Sequence, residues 1–159
     1  MGRILALDIG DKRIGVAVSD ELGLLARPLL TITRASKRED LERVTRLVTG
    51  HQAEHVVAGY PRSLSGDEGP QAQRVRRYVE ALAAVLPVPI ELWDERLTTV
   101  EAQRRLLDAG RRKPRDRGQL DAAAAAVILQ DYLDAHRPPV LDEGPLRVTQ
   151  DKIRNTEHA

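Results

Sequence analysis

The sequence is poor in aromatic residues and has no cysteine. It contains no Phe, one Trp and three Tyr in 159 residues, so its hydrophobic core must be built from Leu, Val, Ile and Ala. Without cysteine, disulfides, thiolate metal ligands and cysteine nucleophiles are all excluded. The chain length favours one domain over two small ones.

The chain also lacks an excess of charge and any long hydrophobic run. Its 25 basic and 24 acidic residues give a net charge of +1, which excludes a histone-like polycation but allows a local basic patch. The longest apolar run, residues 122–129, is too short to span a bilayer. Asp8, Asp11 and Lys12 interrupt any N-terminal signal sequence. We therefore expect a soluble cytoplasmic protein that does not bind membranes.

The apolar periodicity predicts an α/β domain. Strands are predicted at 3–9, 13–19, 24–32, 55–59 and 89–93, and helices at 36–50, 70–86, 98–110 and 120–135. Short links between the first three strands predict an antiparallel meander, and Pro28 marks the third as an edge strand. The later strands alternate with helices, which predicts parallel additions to the same sheet. We expect a five-stranded mixed sheet with helices on both faces over 1–135, and a loosely ordered tail over 136–159.

The second helix is predicted to begin at Pro70, a residue suited to the first helical position. Its apolar stripe is predicted to contain Val75, Tyr78, Val79, Leu82, Val85 and Leu86.

Acidic residues interrupt the apolar pattern at three places. Asp8 ends the first strand, Asp94 and Glu95 end the last strand, and Asp121 opens the last helix. Reactive groups collect at the carboxyl ends of strands in open α/β sheets. Because successive strand residues point to opposite faces, only one of Asp94 and Glu95 can face a shared site. Each position also has an ordinary interpretation, a turn residue for Asp8 and a helix N-cap for Asp121.

The three carboxylates together predict a metal site. Carboxylates on buried elements repel one another unless something positive lies between them. Mg²⁺ and Mn²⁺ prefer carboxylate and water ligands and keep open positions for phosphate oxygens. We therefore expect Mg²⁺ or Mn²⁺ as the cofactor, in a two-metal site.

Four stretches resemble, in order, the motifs of the YqgF/RuvX family. They are LALDIGDKRIGVAVSD, VVAGYPRSLSGDEG, ELWDERLTT and LDAAAAAVILQDYL. That family belongs to the RNase H-like superfamily, together with the Holliday junction resolvase RuvC, and the resemblance runs from about residue 3 to residue 135. It implies an RNase H-like fold and a metal-dependent endonuclease. The implied substrate is the 5′ end of precursor 16S ribosomal RNA or a four-way DNA junction.

The resemblance also assigns roles to individual residues. By motif position, it implies that the catalytic, metal-binding residues are Asp8, Glu95 and Asp121, with Asp94 less favoured than Glu95. RuvC-type enzymes often carry a further acidic residue one helical turn later, where this chain has Ala124 and Ala125. The second metal position is therefore expected to have fewer protein ligands.

Basic side chains near these motifs are candidates for substrate binding. They are Lys12, Arg13, Arg62, Arg96, Arg111, Arg112, Lys113 and Arg115. The last four belong to the run RRKPRDR, directly before the last helix. Gly110, Pro114 and Gly118 disfavour helix through this run, and we expect a mobile loop that grips phosphate. Ordinary solvated residues are the alternative interpretation.

Two other classes of function remain open from the sequence. DIGDKRIGVAV also looks like the first phosphate motif of actin-like ATPases and sugar kinases, which bind ATP between two such domains, whereas this chain has room for one. A non-catalytic RNase H-like module that grips nucleic acid is the other class. The sequence does not separate RNA from DNA as the substrate. Resolution of a junction requires paired cuts, which implies a homodimer.

Overall fold

A computed structural model describes residues 2–61, 67–95 and 117–137, with the backbone alone for 117–119. Five strands and three helices lie within these residues. They are β1 (Arg3–Ile9), β2 (Arg13–Ser19), β3 (Ala26–Thr33), α1 (Lys37–Gly50), β4 (Ala53–Tyr60), α2 (Pro70–Val85), β5 (Ile90–Asp94) and α3 (Arg117–Ala135). The helix predicted at 98–110 and the tail beyond residue 137 lie outside the described residues.

The five strands form one mixed sheet in the order β3-β2-β1-β4-β5. β1 pairs antiparallel with β2, and β2 pairs antiparallel with β3. β4 is parallel to β1, and β5 is parallel to β4. The predicted meander with parallel additions is therefore confirmed. The edge position of β3 suits Pro28, which has no N–H to donate to a further strand.

Helices cover both faces of the sheet. On one face, Leu5 and Leu7 of β1 belong to a fully buried cluster with residues of α1 and α2. On the other face, Ile4 and Ala6 pack against α3. The two sets alternate along β1 because successive strand side chains point to opposite faces. The stripe of α2 is confirmed for its first four predicted residues, and Leu86, which directly follows the helix, packs partly buried against the same cluster. Val85 does not belong to the stripe, since it is 51% exposed.

The start of α3 differs from the prediction. The helix begins at Arg117 rather than at residue 120, and it includes Gly118. Helix packing against the sheet outweighs the weak helix propensity of one glycine. Asp121 therefore lies inside the helix, and the interpretation of Asp121 as an N-cap is wrong.

Two polar side chains fix α3 to the sheet edges. Buried Gln130 accepts a hydrogen bond from the Ala26 N–H at 2.9 Å and donates one to the Leu24 carbonyl at 3.0 Å. The indole N–H of Trp93, on β5, donates to Asp131 at 3.0 Å. α3 is therefore anchored on both sides of β1. In the described part of the chain, no helix is long and apolar enough to cross a membrane.

Candidate active site

Asp8 lies on the face of the sheet that α3 covers. Ile4 and Ala6 precede it on that face, and alternation along β1 gives Asp8 the same orientation. β4 and β5 run parallel to β1, so the carboxyl ends of the three strands meet at one edge. Asp8 is partly buried near the middle of this edge, where open α/β sheets place their reactive groups.

Gly15 allows α3 to approach Asp8 closely. Gly15 is the antiparallel partner of Asp8 in the β1–β2 ladder. A Cβ atom on Gly15 would overlap the backbone carbonyl of Asp121, so only glycine lets the helix backbone lie at this distance from the strand. The contact brings Asp121 near enough to Asp8 for their charges to interact.

Gly59 has the corresponding role for Glu95. Gly59 lies one residue beyond the Leu7–Ala58 pair of the β1–β4 ladder, and is therefore beside Asp8. A Cβ atom on Gly59 would lie 2.6 Å from Oε2 of Glu95 and 2.7 Å from Cδ1 of Ile128. The Glu95 carboxylate therefore lies over Gly59, on the same face of the sheet as Asp8.

Asp94 differs from Glu95 in its orientation. Trp93 packs into the cluster under α3, so alternation along β5 directs the next side chain, Asp94, away from that face. Glu95 directly follows the strand and lies on the α3 side. The structure therefore brings Glu95, rather than Asp94, over the sheet beside Asp8.

The carboxyl groups of Asp8 and Glu95 are harder to ionise than ordinary carboxyl groups. Burial, followed by repulsion from the Asp121 carboxylate, raises the pKa of Asp8 to about 6. Burial, followed by the charges of Asp8 and then Asp94, raises the pKa of Glu95 to about 7. Asp8 interacts with both other predicted ligands and is the centre of an acidic cluster, which we define as Asp8, Glu95 and Asp121. A positive charge placed within this cluster would relieve the repulsion.

One cation of the protein already contacts the acidic cluster. Nε of Arg13 donates a hydrogen bond to Oδ2 of Asp121 at 2.6 Å, and the two side chains are 30% and 26% exposed. Arg13 is the first residue of β2, so the ion pair connects the β1–β2 hairpin to α3. Arg13 therefore orients Asp121, while its predicted contact with substrate stays a prediction.

The chemistry of the acidic cluster fits a hard divalent cation. Its three side chains offer only carboxylate oxygens, which Mg²⁺ and Mn²⁺ prefer, and the two glycines let Asp121 and Glu95 lie close to the sheet beside Asp8. Within residues 2–61, 67–95 and 120–137, however, no three His, Asp or Glu side chains are already gathered into a group that could hold an ion. Metal binding by the cluster therefore stays a prediction.

The other predicted substrate contacts are divided between described and undescribed residues. Lys12 is exposed in the turn between β1 and β2, next to Arg13. The remaining predicted contacts lie outside the described residues; they are Arg62, Arg96, Arg111, Arg112, Lys113 and Arg115.

Glu68 precedes α2 and accepts two hydrogen bonds. One comes from the hydroxyl of Tyr60, and the other comes from Nε of Arg76 at 2.8 Å. These bonds connect the segment before α2 to the end of β4.

Sequence reasoning missed the two glycines that shape the site. A glycine within a strand weakens it and often marks a close approach of another backbone or ligand. Gly15 and Gly59 both interrupt apolar strand sequences, so this signal was present. The identity of the approaching group becomes visible only when α3 is placed on the sheet.

The architecture is that of the RNase H-like class. Thermus thermophilus RuvC in complex with a Holliday junction substrate superposes with a TM-score of 0.57 at 17% sequence identity, covering 86% of this chain and 98% of that one. Another T. thermophilus RuvC structure gives a TM-score of 0.53 at 17% identity, covering 84% and 96%. At this identity the likeness defines the fold.

Sequence comparison defines the family. The model described as "RuvX: Holliday junction resolvase" matches residues 2–135. A Myxococcus xanthus protein named "Putative pre-16S rRNA nuclease" is 48% identical over 143 residues, covering 90% of this chain and 95% of the relative. A Thermoanaerobacter pseudethanolicus protein of the same name is 46% identical over 138 residues, covering 85% and 98%. The chain belongs to the RuvX family.

Proposed function

We propose that this protein is a divalent-metal-dependent endonuclease that hydrolyses phosphodiester bonds in structured nucleic acid. The observation that carries the proposal is the acidic cluster, whose carboxylates come from β1, the end of β5 and α3 and interact across one edge of the sheet. Membership of the RuvX family supports nuclease chemistry, because its relatives at 46–48% identity carry nuclease names.

Asp8, Glu95 and Asp121 hold Mg²⁺ or Mn²⁺ in this proposal. When bound, such ions supply Lewis-acid activation of water and stabilisation of the leaving oxygen. Asp8 contributes the central carboxylate, since it interacts with both other members of the cluster. Ala125 is fully buried against the sheet, so the next turn of α3 supplies no further carboxylate at that position.

The surrounding residues position the acidic cluster and attract the substrate. Arg13 restrains the Asp121 carboxylate through the 2.6 Å contact. Gly15 and Gly59 set the heights of Asp121 and Glu95 above the sheet. Lys12, exposed at the hairpin turn, presents a positive charge to the phosphate beside the cluster.

Two substrates fit this chemistry. The names of the relatives favour the 5′ end of precursor 16S ribosomal RNA, and the family description favours the four-way DNA junction. A junction needs paired cuts on opposite strands, so on that substrate the protein would act as a homodimer with two sites related by a two-fold axis. A monomer in sedimentation, free and junction-bound, would favour the ribosomal substrate.

Metal binding and cleavage should be measured separately. Calorimetric titration with Mn²⁺ should give binding to the wild type and a loss of at least about tenfold in affinity for Asp8→Asn, because one carboxylate ligand is removed. Glu21→Gln is the matched control, since Glu21 is exposed and contacts only Arg3 among the described partners. The control should bind Mn²⁺ as the wild type does.

Cleavage of a labelled rRNA precursor and a labelled four-way junction should then be compared with and without Mg²⁺. Metal-dependent cleavage of either substrate by the wild type, lost in Asp8→Asn, is the expected result. Binding of both without cleavage would instead define a non-catalytic module. Tight ATP binding without cleavage would point to the actin-like class.

A further inference from the structure

A second charged site lies at the same edge of the sheet, on the face opposite the acidic cluster. It is a cavity of about 260 Å³ between α1, α2 and the turn after β1. Four cationic side chains line it: Arg34, Lys37, Arg74 and Arg77. We call this group the basic pocket. Among the described residues, Asp11 contributes the one carboxylate of its lining.

The positive charge of the basic pocket is poorly neutralised by the protein. Lys37 and Arg77 are exposed, and neither has a carboxylate partner in the described part of the chain. Arg74 lies 3.6 Å from Asp11, but the two side chains are 54% and 77% exposed, and pairs of this kind contribute little. The pocket therefore presents a net positive charge to solvent.

Arg34 forms a rigid wall of the basic pocket. Its Nη1 donates a hydrogen bond to the Gly10 carbonyl at 2.7 Å, and its Nε lies 3.5 Å from Oδ2 of buried Asp40. Its guanidinium lies 4.6 Å from the centre of the Tyr78 ring. Tyr78 is 5% exposed, and its hydroxyl forms no well-aligned hydrogen bond within the described residues. A cation held from three sides is pre-organised, so little conformational entropy is lost when an anion binds.

We propose that the basic pocket binds a phosphate group. Arginine forks match the oxygens of phosphate in geometry and charge, and lysine adds a flexible point charge. The protein supplies one arginine held in place by three contacts and three exposed cations beside it, which is an arrangement suited to one phosphate in an open cavity of this size.

The source of the phosphate is the nucleic-acid strand that the acidic cluster cleaves, and this step rests on the function proposed above. Asp8 of the cluster and Asp11 of the pocket are three residues apart, so their Cα atoms are separated by at most about 11 Å. A duplex strand carries one phosphate for about every 3.4 Å of helix axis. A strand crossing the β1–β2 turn therefore reaches both sites within a few nucleotides.

The first arm of the test measures nucleic-acid binding in EDTA, so that neither metal nor cleavage is involved. Arg74→Ala/Arg77→Ala removes two exposed pocket charges, and Arg43→Ala/Arg46→Ala removes two charges from another part of the surface, near β3. Affinity for a labelled junction and a labelled single-stranded RNA is measured from about 50 to 200 mM KCl. The pocket variant should lose about tenfold in affinity, and its log–log salt slope should fall by about 1.4 to 1.8. The affinity of the control variant should fall by a much smaller factor than tenfold, or stay unchanged.

The second arm uses inorganic phosphate and a nucleoside 5′-monophosphate, with the arginine Nε–H resonances as the readout. Saturable shifts of Arg74 and Arg77, with an unchanged salt slope in the first arm, would support a phosphate pocket that serves a free phosphate. No shift here and no difference between the two double variants would overturn the proposal. Thermal melting checks that each variant is folded. Arg77→Gln is a milder variant, for which a smaller loss of nucleic-acid affinity is expected. If the wild type cleaves no substrate but the first arm succeeds, the proposed function fails and the pocket stands.

Discussion

Gly15 on β2 and Asp121 on α3 are in backbone contact, although they lie near opposite ends of the described chain. The contact has no room for a side chain at position 15. It sets the separation between the sheet and the helix at the point where Asp8, the ladder partner of Gly15, extends its carboxylate. The spacing of the acidic cluster therefore depends on the absence of one methyl group.

The first prediction concerns Gly15→Ala. The new methyl group would overlap the Asp121 backbone, which cannot rotate away as a side chain can, so α3 must move. We expect the free energy of unfolding to fall by about 3 kcal/mol, the upper part of the usual range for overpacking, and nuclease activity to fall more than a hundredfold. Chemical denaturation and cleavage assays measure the two effects.

Gly50→Ala is the matched control for Gly15→Ala. Nothing lies within 4 Å of a Cβ atom placed at Gly50, the last residue of α1. Because Gly50 lies within a helix, alanine should leave the free energy of unfolding unchanged or raise it by up to about 1 kcal/mol. An equal decrease in the free energy of unfolding of Gly15→Ala and Gly50→Ala would mean that α3 does not pack closely on Gly15.

The second prediction concerns Gly59→Ala. Here the new methyl group meets the ends of two side chains, Glu95 and Ile128, which can move aside. We expect a loss of stability of about 1 to 2 kcal/mol, smaller than for Gly15→Ala. Activity should still fall at least tenfold, because Glu95 is displaced from its position beside Asp8. Wild-type activity in Gly59→Ala would remove Glu95 from the site.

The sequence was sufficient to predict the edge of the sheet at which the acidic residues meet. Asp8 lies near the end of β1 and Glu95 directly follows β5, and the carboxyl ends of parallel strands share one edge. The start of α3 was predicted three residues late, because Gly118 weakens local helix propensity while packing on the sheet outweighs it. Local preference alone cannot reveal that balance.

Contacts between distant segments could not be predicted from one sequence. The ion pair of Arg13 with Asp121 and the close approach at Gly15 both depend on where α3 crosses the sheet. The basic pocket likewise combines Arg34, which follows β3, with Arg74 and Arg77 of α2. Residue types indicate that such groups need partners, but the fold decides which partners they have.

The third prediction concerns the effect of pH on stability through His55. This side chain lies 3.1 Å from the Tyr132 hydroxyl, which donates a hydrogen bond to Glu91 at 2.7 Å. Burial lowers the pKa of His55, with the charge of His136 acting in the same direction and Glu91 and Glu54 opposing it. The folded state therefore binds this proton less readily than the unfolded state. Stability should fall as the pH decreases below the ordinary histidine value of about 6.5.

His55→Gln tests this origin, because glutamine keeps an N–H donor but does not titrate. Denaturation at several pH values between about 5 and 7.5, around the ordinary histidine pKa, should show a weaker loss of stability in His55→Gln than in the wild type. His51→Gln removes a histidine at the C-cap of α1 and serves as the control for the loss of one imidazole elsewhere in the fold. An unaltered slope in His55→Gln would assign the pH dependence to other groups.

The fourth prediction ranks the two neighbouring acids at the end of β5. Asp94→Asn should reduce activity much less than Glu95→Gln, because Glu95 lies over the sheet beside Asp8 and Asp94 is directed away. The charge of Asp94 does raise the pKa of Glu95, so a modest effect of Asp94→Asn, within about tenfold, is expected. Measured kcat values for the two variants decide the ranking, and the opposite order would mean that the register at the end of β5 differs.

The last prediction separates activity from stability within the acidic cluster. Asp8→Asn, Glu95→Gln and Asp121→Asn should all abolish cleavage, because an amide retains the shape but not the charge of a metal ligand. In EDTA at pH 7.5, Asp8 and Glu95 are ionised at a cost to the folded state, since burial and repulsion raise their pKa values to about 6 and 7. Removing either charge should raise the free energy of unfolding of the metal-free protein by about 1 kcal/mol, which corresponds to a rise in melting temperature of roughly 2–4 °C.

Asp121→Asn should behave differently from the other two amide variants. Its carboxylate is paired with Arg13 at 2.6 Å, so the substitution removes an attraction as well as the repulsion from Asp8. A partly exposed pair of this kind contributes up to about 1 kcal/mol, which offsets the gain. The melting temperature of Asp121→Asn should therefore stay at or below that of the wild type, while Asp8→Asn rises above it. Equal increases in both variants would show that Arg13 does not hold Asp121 in solution.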